Sequence, residues 1–585
     1  MHRLFTGIAL ALLTPIVASA QHFHHHYEAS PDDNRRPSPC ADRYAEPVLD
    51  ASIRRVPWKV STSNKDAQAF FEQGITLLYG FNYEGAMQNF RAARRRDPEL
   101  AMASWGIALG AGPNLNITMD GPCGDEAMNA SEAARGLAEQ QHKSGKITEL
   151  EYRIILALPP RYAGRTIHAV DYAVAMRKVW DRFPSDANIA ALYAESLMDL
   201  RPWALFNVAK QPAIDTNHVL HVLSSALVKN PKAVGANHYW IHAVEAGPNP
   251  GSAKASADFL SHDVPGSGHL LHMPSHTYQL IGDYGSAFDI NKKAVDVDIA
   301  QYGKACAGTF EQYSKNPHCL QWYFGHYAAH NHYFRAVAGA FLGRRVDSLQ
   351  SARDTETHVQ HFVANEPGLQ RYMTAPLMLM VAQHAWDAVL KEPEPPESCY
   401  SEPFTPTGCR ILRSIWYWAR GMAHAAKGSP DIARDDYRES TDEQAKILPP
   451  GPTGWGNNNA SSVLTIANEQ LLARVAWAEN RRDAAIEHLK LAVTAEDALV
   501  YDEPPQWVHP SRQSLGGAYL AMKRYDDARS VFKKDLEIHT ANGRSLYGLY
   551  RALLHIDPPE AEKKKADYEK AWTRADYKMT DAELW

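Results

Sequence analysis

A set of small and aromatic residues recurs along this chain at spacings that suit paired helices. The clearest unit runs from Ala67 to Pro98. Gly74 and Ala86 are small where two antiparallel helices must touch, Phe90 fills the groove between them, and Ala93 again admits a close neighbour. Pro98 stops the second helix because it has no N–H to continue the ladder. A second good unit uses Gly516, Tyr519, Ala528 and Phe532. Weaker copies centre on Ala287, Ala433 and Ala485, with Gly-Asp, Gly-Ser-Pro and Arg-Arg-Asp turns before their second helices. Residues 543–575 supply a last helical pair. One such hairpin cannot bury its apolar face alone, so successive units must stack. The predicted fold is all-α, a helical-hairpin solenoid or closed superhelix spanning 61–390 and 411–585. No alternating apolar run predicts a sheet. Pro-, Gly- and Cys-rich loops are expected at 112–124 and 391–410, the second a candidate hinge.

The two ends of the first sixty residues read differently. Residues 1–20 have the make-up of a secretory signal: His2 and Arg3, an apolar run from Leu4 to Val17, then Ala18-Ser19-Ala20 as a small-x-small cleavage pattern. The predicted location is the periplasm or outside the cell. Residues 21–60 form an irregular arm in which His24, His25 and His26 are read as solvated. No later segment is long and apolar enough to predict a membrane span. The net charge of −6 gives no electrostatic case for nucleic acid. Six cysteines in an exported chain predict disulfides, with short loops favouring Cys306–Cys319 and Cys399–Cys409 and leaving Cys40–Cys123. None has the C-x-x-C spacing of a zinc knuckle or redox motif.

The chemistry-bearing feature is a concentration of histidines. His238, His242 and Glu245 stand at i, i+4 and i+7, which is one face of a helix. His269, His272 and His276 follow at i, i+3 and i+7, although Pro274 predicts a kink inside that set. Imidazole suits zinc, copper, iron and nickel, and a neighbouring carboxylate completes a mixed site. The five histidines are therefore candidate metal ligands. Glu245 is the candidate catalytic group, acting as ligand, orienter of a ligand or base. His326, His330, Asn331 and His332 form a third cluster that a superhelix would bring to the same basin, and they are further candidates.

Two loops add candidates. Gly110 to Asn116 offers amides near a helix end, and Tyr501 to Arg512 carries Glu503, His509 and Arg512. Glu195, Asp199 and Arg201 are read as an internal ion-pair set. Phosphate loops, dinucleotide fingerprints, Gly-x-Ser-x-Gly elbows and His-Glu-x-x-His motifs are absent from the sequence. The order here is His-x-x-x-His-x-x-Glu, so a zincin mechanism does not carry over.

The hairpin offsets match those of tetratricopeptide repeats, and the chain resembles a family of exported bacterial tetratricopeptide-repeat proteins of unsettled activity. The resemblance covers most of 66–550. It rests on Phe71-Glu72-Gln73-Gly74, Trp105-Gly106-Ile107-Ala108, the Gly-Pro-Asn-x-Asn loop at 112–116, Ala236 to Ala246, Gly268 to His276, and Tyr501 to Trp507. Lys232 follows Pro231 where the family pattern implies a histidine. The resemblance implies a fold more than a reaction.

Two functions follow from these residues. The first is a histidine-lined copper or zinc site, possessed by a metal-dependent oxidoreductase if copper or a hydrolase if zinc. Two histidine triplets would favour paired copper and oxidation. The second is a non-catalytic scaffold that holds a peptide or protein in its concave groove. Under either, the partner is a small molecule or peptide on the concave face. The density of histidine, where peptide-binding arrays use Asn, Lys and Arg, favours the first.

Overall fold

The computed structural model describes residues 40, 45–116, 121–165, 167–363, 366–400, 406–447 and 454–585. The predicted signal at 1–20 and the histidines of the arm lie outside these residues.

The chain runs as successive helical hairpins. Lys65–Tyr79 packs on Tyr83–Arg96, Ala329–Phe341 on Arg345–Phe362, and Pro406–Ala426 on Pro430–Ala445. Ala460–Ala478 then packs on Arg482–Asp497, Ser511–Ala521 on Tyr525–Ile538, and Gly543–Leu553 on Pro558–Ala571. Among the described residues the strands are two-residue pieces, Gly454–Trp455 paired antiparallel with Asn458–Asn459. The fold is all-α and tetratricopeptide-like. The helix Gly121–Lys143 begins inside the loop expected at 112–124. No helix among the described residues is long and apolar enough to cross a membrane.

The recurring glycines and phenylalanines set how closely the hairpins stack. The Phe90 ring sits between two helices. A Cβ at Gly74 would lie 2.7 Å from it, and one at Gly106 in the next helix 2.6 Å from it. Phe532 repeats this wedge, with Gly516 on one side and Gly548 on the other. Each ring occupies space that any larger residue would fill, so three helices share one contact.

The turns repeat too. Phe81, Gly282, Gly343, His384, Gly428, Asn480 and Lys523 all have positive φ, and each stands two residues before the second helix of its hairpin. Gly and Asn enter this left-handed conformation at little cost. Phe81, at φ 54°, is the bulky exception.

The three expected disulfides are present: Cys40–Cys123, Cys306–Cys319 and Cys399–Cys409, with Cα separations of 5.2, 4.8 and 5.4 Å. The expected ion-pair set is rearranged. The helix Ala187–Met198 ends before Asp199, so Arg201 leaves that helical face and reaches Asp215 at 3.4 Å. Asp199 is taken instead by the fully buried Arg161 at 2.6 Å. One apolar core extends from Cys40 to Val508, and a second joins Ala473 to Leu584.

Removing either wedge should leave a cavity shared by three helices. Phe90→Ala and Phe532→Ala are each expected to lower stability by about 3–5 kcal/mol in urea unfolding. A loss below about 1 kcal/mol would show that the surrounding helices collapse to fill the space.

Candidate metal centre

Five segments bring the site together. The helix Val234–Glu245 carries His238, His242 and Glu245. It lies against the end of the first helix because Gly235 has no side chain; a Cβ there would come 2.6 Å from the Tyr79 ring. Gly268–His272 and Pro274–Leu280 carry His269, His272 and His276. Met273 between them keeps helical torsions, φ −50° and ψ −37°, so the expected kink at Pro274 interrupts the hydrogen bonding while the chain goes on winding. Ala329–Phe341 brings His330, and Tyr284–Asp298 brings Asn291.

The side chains offer two histidine triplets and a third ligand-type set, His242, Glu245 and His276, that bridges them. His238, His242 and His269 form one, and His272, His276 and His330 the other. Within each triplet, one nitrogen from each ring lies within 4.8 Å of the others. A phenylalanine packs on each group. Phe81 lies 4.6, 5.7 and 5.0 Å from the rings of His238, His242 and His269. Phe334 lies 5.1, 5.3 and 5.9 Å from those of His272, His276 and His330. Glu245 joins the triplets: one carboxylate oxygen takes His242 Nδ1 at 2.9 Å and the other takes His276 Nδ1 at 2.6 Å.

These partners fix which ring nitrogen carries the proton in each neutral imidazole. A carboxylate or carbonyl oxygen only accepts, so His242 and His276 donate from Nδ1 to Glu245. His238 donates from Nδ1 to the Tyr79 carbonyl at 2.6 Å. His272 donates from Nδ1 to Asn291 Oδ1 at 2.6 Å, and Asn291 is oriented by its own donation to the Ala287 carbonyl. All four Nε2 atoms are then lone pairs turned inward. His272 Nε2 and His276 Nε2 stand only 2.8 Å apart, acceptor against acceptor. His242 Nε2 is buried without a hydrogen-bond partner. His330 Nε2 lies 3.1 Å from His272 Nε2, and His269 Nε2 lies 3.2 Å from His238 Nε2. These two rings can each donate, which satisfies two lone pairs and leaves the contact between His272 and His276 unresolved.

A proton is a poor remedy. Burial holds His238, His269, His272 and His330 well below the usual imidazole range, and neighbouring imidazoles push the same way. Burial also lowers His276, opposed by Glu245. Burial would raise Glu245 itself, but His242 and His276 hold its carboxyl down at about 2.

Of the further candidates, His330 enters the second triplet. His326 does not, although it is four residues earlier. His326 itself lies within a π-helical turn, Phe324–Ala328. His326 instead reaches Glu366 at 2.9 Å. Asn331 donates to Asp298 at 3.1 Å, and His332 lies beside His358, with ring centroids 5.9 Å apart. Glu503 accepts from Tyr501 at 2.7 Å, and burial keeps its carboxyl well above the usual range. Tyr501 lines a small cavity that reaches His242 and Glu245, so Glu503 stands behind the mouth and outside the triplets. His509 lies beside His384 in a separate cavity.

The mouth is framed by the Gly-Pro-Asn-x-Asn loop. Asn116 donates to the Tyr327 hydroxyl at 3.1 Å and accepts from Trp203 Nε1 at 3.2 Å. Trp203 then meets the His242 ring edge-on at 5.6 Å. Asn291, Phe81, Phe334 and Trp203 were not legible as site residues. Asn291 carried the one usable signal, a polar residue one turn from Ala287 and Ala294 on a packing face.

No family model and no curated protein matches the chain. Solved structures that align with it include the APC/C hetero-tetramer Cut9–Hcn1, at 13% identity, with 89% of this chain and 83% of that chain covered and a TM-score of 0.26. Yeast Tom70 aligns at 13% identity, with 89% and 94% covered and a TM-score of 0.26. An IFIT1 monomeric mutant with Gppp-AAAA aligns at 11%, with 87% and 91% covered and a TM-score of 0.32. With scores this low, the likeness carries nothing about the site.

Burial of neutral imidazoles gives a pH signature in ion-free protein. An unfolded histidine takes a proton as pH falls through about 6.5, whereas folded His272 resists it. Its contribution is therefore present above about 6.5 and is lost as pH falls towards the depressed folded value. The stability gap between the wild type and His272→Gln should be smaller at pH 5 than at pH 7.5, measured by chemical unfolding. An equal or larger gap at pH 5 would contradict neutral burial of this ring.

Proposed function

We propose that the two triplets hold a pair of transition-metal ions, with His238, His242 and His269 as ligands on one side and His272, His276 and His330 on the other. The carrying observation is the 2.8 Å contact between two inward lone pairs, on His272 and His276. Two acceptors at that distance repel unless a cation lies between or beside them, and burial disfavours the proton. Metal–nitrogen bonds of about 2.0–2.1 Å place tetrahedral ligands roughly 3.3 Å apart, so the rings need to open by only a few tenths of an ångström. The outer partners also suit metal ligation. Four of the six histidines donate their other N–H to a carboxylate, a carbonyl or an oriented amide, which fixes the ring and raises its basicity.

All-imidazole ligation fits copper and zinc, and two three-histidine sets sharing a carboxylate favour paired copper and oxidation of a small molecule. When bound, such a pair supplies electron transfer to or from substrate. The chain's own part is to hold six neutral nitrogens inward, to balance charge with Glu245, and to exclude bulk water with Phe81 and Phe334. Substrate reaches the centre at His242, beside Trp203. The three disulfides support an exported protein working in an oxidising compartment. The scaffold reading, with a peptide in the concave groove, leaves the contact between His272 and His276 unexplained.

Elemental analysis tests this. Tag-free protein with His24, His25 and His26 replaced by serine would be exposed to copper and zinc and freed of excess. About two equivalents of one metal per chain are expected. His242→Ala and His276→Ala should each remove about one equivalent with little loss of helicity. Substoichiometric, unselective uptake, or unchanged stoichiometry in both variants, would overturn the reading.

A further inference from the structure

A second, small cavity lies away from the histidine centre, between the turn before Arg345–Phe362 and the last helical pairs. Its polar lining is Arg345, Arg544, His509, Gln513 and Gln383. Behind it stands Arg474. These groups make a largely buried cationic pocket with too little negative charge.

The donors that remain unused define what the pocket lacks. Arg544 is 6% exposed. It spends its two terminal nitrogens on the Ala382 and Glu583 carbonyls and leaves Nε without a partner. Arg345 pairs with the Glu583 carboxylate, lies flat on the Tyr577 ring at 3.4 Å, and also leaves Nε unpartnered. His509 is 2% exposed. Its Nε2 lies 3.3 Å from the Ser514 hydroxyl and its Nδ1 has no partner; with the hydroxyl donating, Nδ1 carries the proton. Arg474 is buried against the rings of Trp585 and Trp386, and its Nε and one terminal nitrogen have no acceptor.

The charge count points the same way. Three arginines converge here, and Glu583 is the carboxylate that meets one of them. Asp535, the acid nearest Gln513, is already held by His539 at 2.9 Å and by Ser545. Burial lowers Arg474 to about 10. Burial, Arg544 and Arg474 hold His509 well below the imidazole range. An uncompensated guanidinium in such a place is costly, and several unused donors add to that cost. Guanidinium Nε–H groups beside an unpartnered imidazole nitrogen suit the oxygens of a small oxyanion.

We propose that this cavity is an oxyanion-binding site, taking a phosphate-like or carboxylate group on Arg345, Arg544 and His509. The site is independent of the histidine centre. Its position, between the turn at Gly343 and the Asp581–Glu583 segment, makes the bound anion a clamp between the fourth-quarter repeats and the middle of the chain. Arg345 and Arg544 would each contribute Nε, and His509 its Nδ1–H.

The test is a calorimetric titration of full-length, metal-stripped, dialysed protein with inorganic phosphate. One saturable equivalent is expected. Arg345→Gln, which changes a partly exposed side chain, and Arg544→Lys, which keeps the charge but loses Nε, should each weaken binding at least tenfold. His242→Ala should bind phosphate as the wild type does. Competition by acetate would identify a carboxylate as the group best suited to the pocket; its failure to compete would identify a tetrahedral oxyanion. No saturable binding below about 10 mM, equal affinity in both arginine variants, or loss in His242→Ala would overturn the assignment.

Discussion

The architecture depends on close approach between helices, and that approach depends on aromatic rings seated where neighbouring residues have no side chain. Phe90 reaches across from its own helix to Gly74 on one side and Gly106 on the other. The same contact recurs with Phe532, Gly516 and Gly548 near the other end. Such wedges fix the separation and tilt of successive hairpins, because a packed ring tolerates neither a void nor an extra methyl group. Gly235 against Tyr79 uses the same device for another purpose. It docks the His238 helix onto the first hairpin, so the spacing rule that builds the repeats also positions the first histidines.

The centre adds a demand the repeat does not have. Most hairpins turn through Gly, Asn, Lys or His at the left-handed position, but the first uses Phe81. Holding a bulky residue there costs on the order of 1 kcal/mol or more. In return, its ring covers three imidazoles of one triplet. The cost and the coverage fall on the same residue, which ties the shape of a turn to the dryness of a histidine cluster.

Legibility in the sequence followed the range of each interaction. Hairpins were readable because Gly74, Ala86 and Phe90 act within one local unit. The face shared by His238, His242 and Glu245 was readable for the same reason. The division of His269 from His272 and His276 was not, since it depends on what each meets across the helix pairs. His326 looked equivalent to His330 by spacing, but it lies in a π-helical turn and is taken by Glu366, a partner that no residue pattern announced. Asn291, Trp203 and Phe334 act through tertiary placement alone. The ion-pair set around Asp199 failed because its helix ends at Met198, short of Arg201, and because Arg161 arrives from a distant segment.

One carboxylate serves both triplets, each oxygen of Glu245 committed to a different ring. The two halves of the centre therefore draw on a single counter-charge. Electron density drawn from Glu245 by a more acidic His242 is withdrawn from His276, and the reverse holds with the same free energy. Reciprocity of this kind makes the halves unequal whenever one of them changes state. A metal pair held there, as proposed, would then take up, or give up, its second charge less readily than its first.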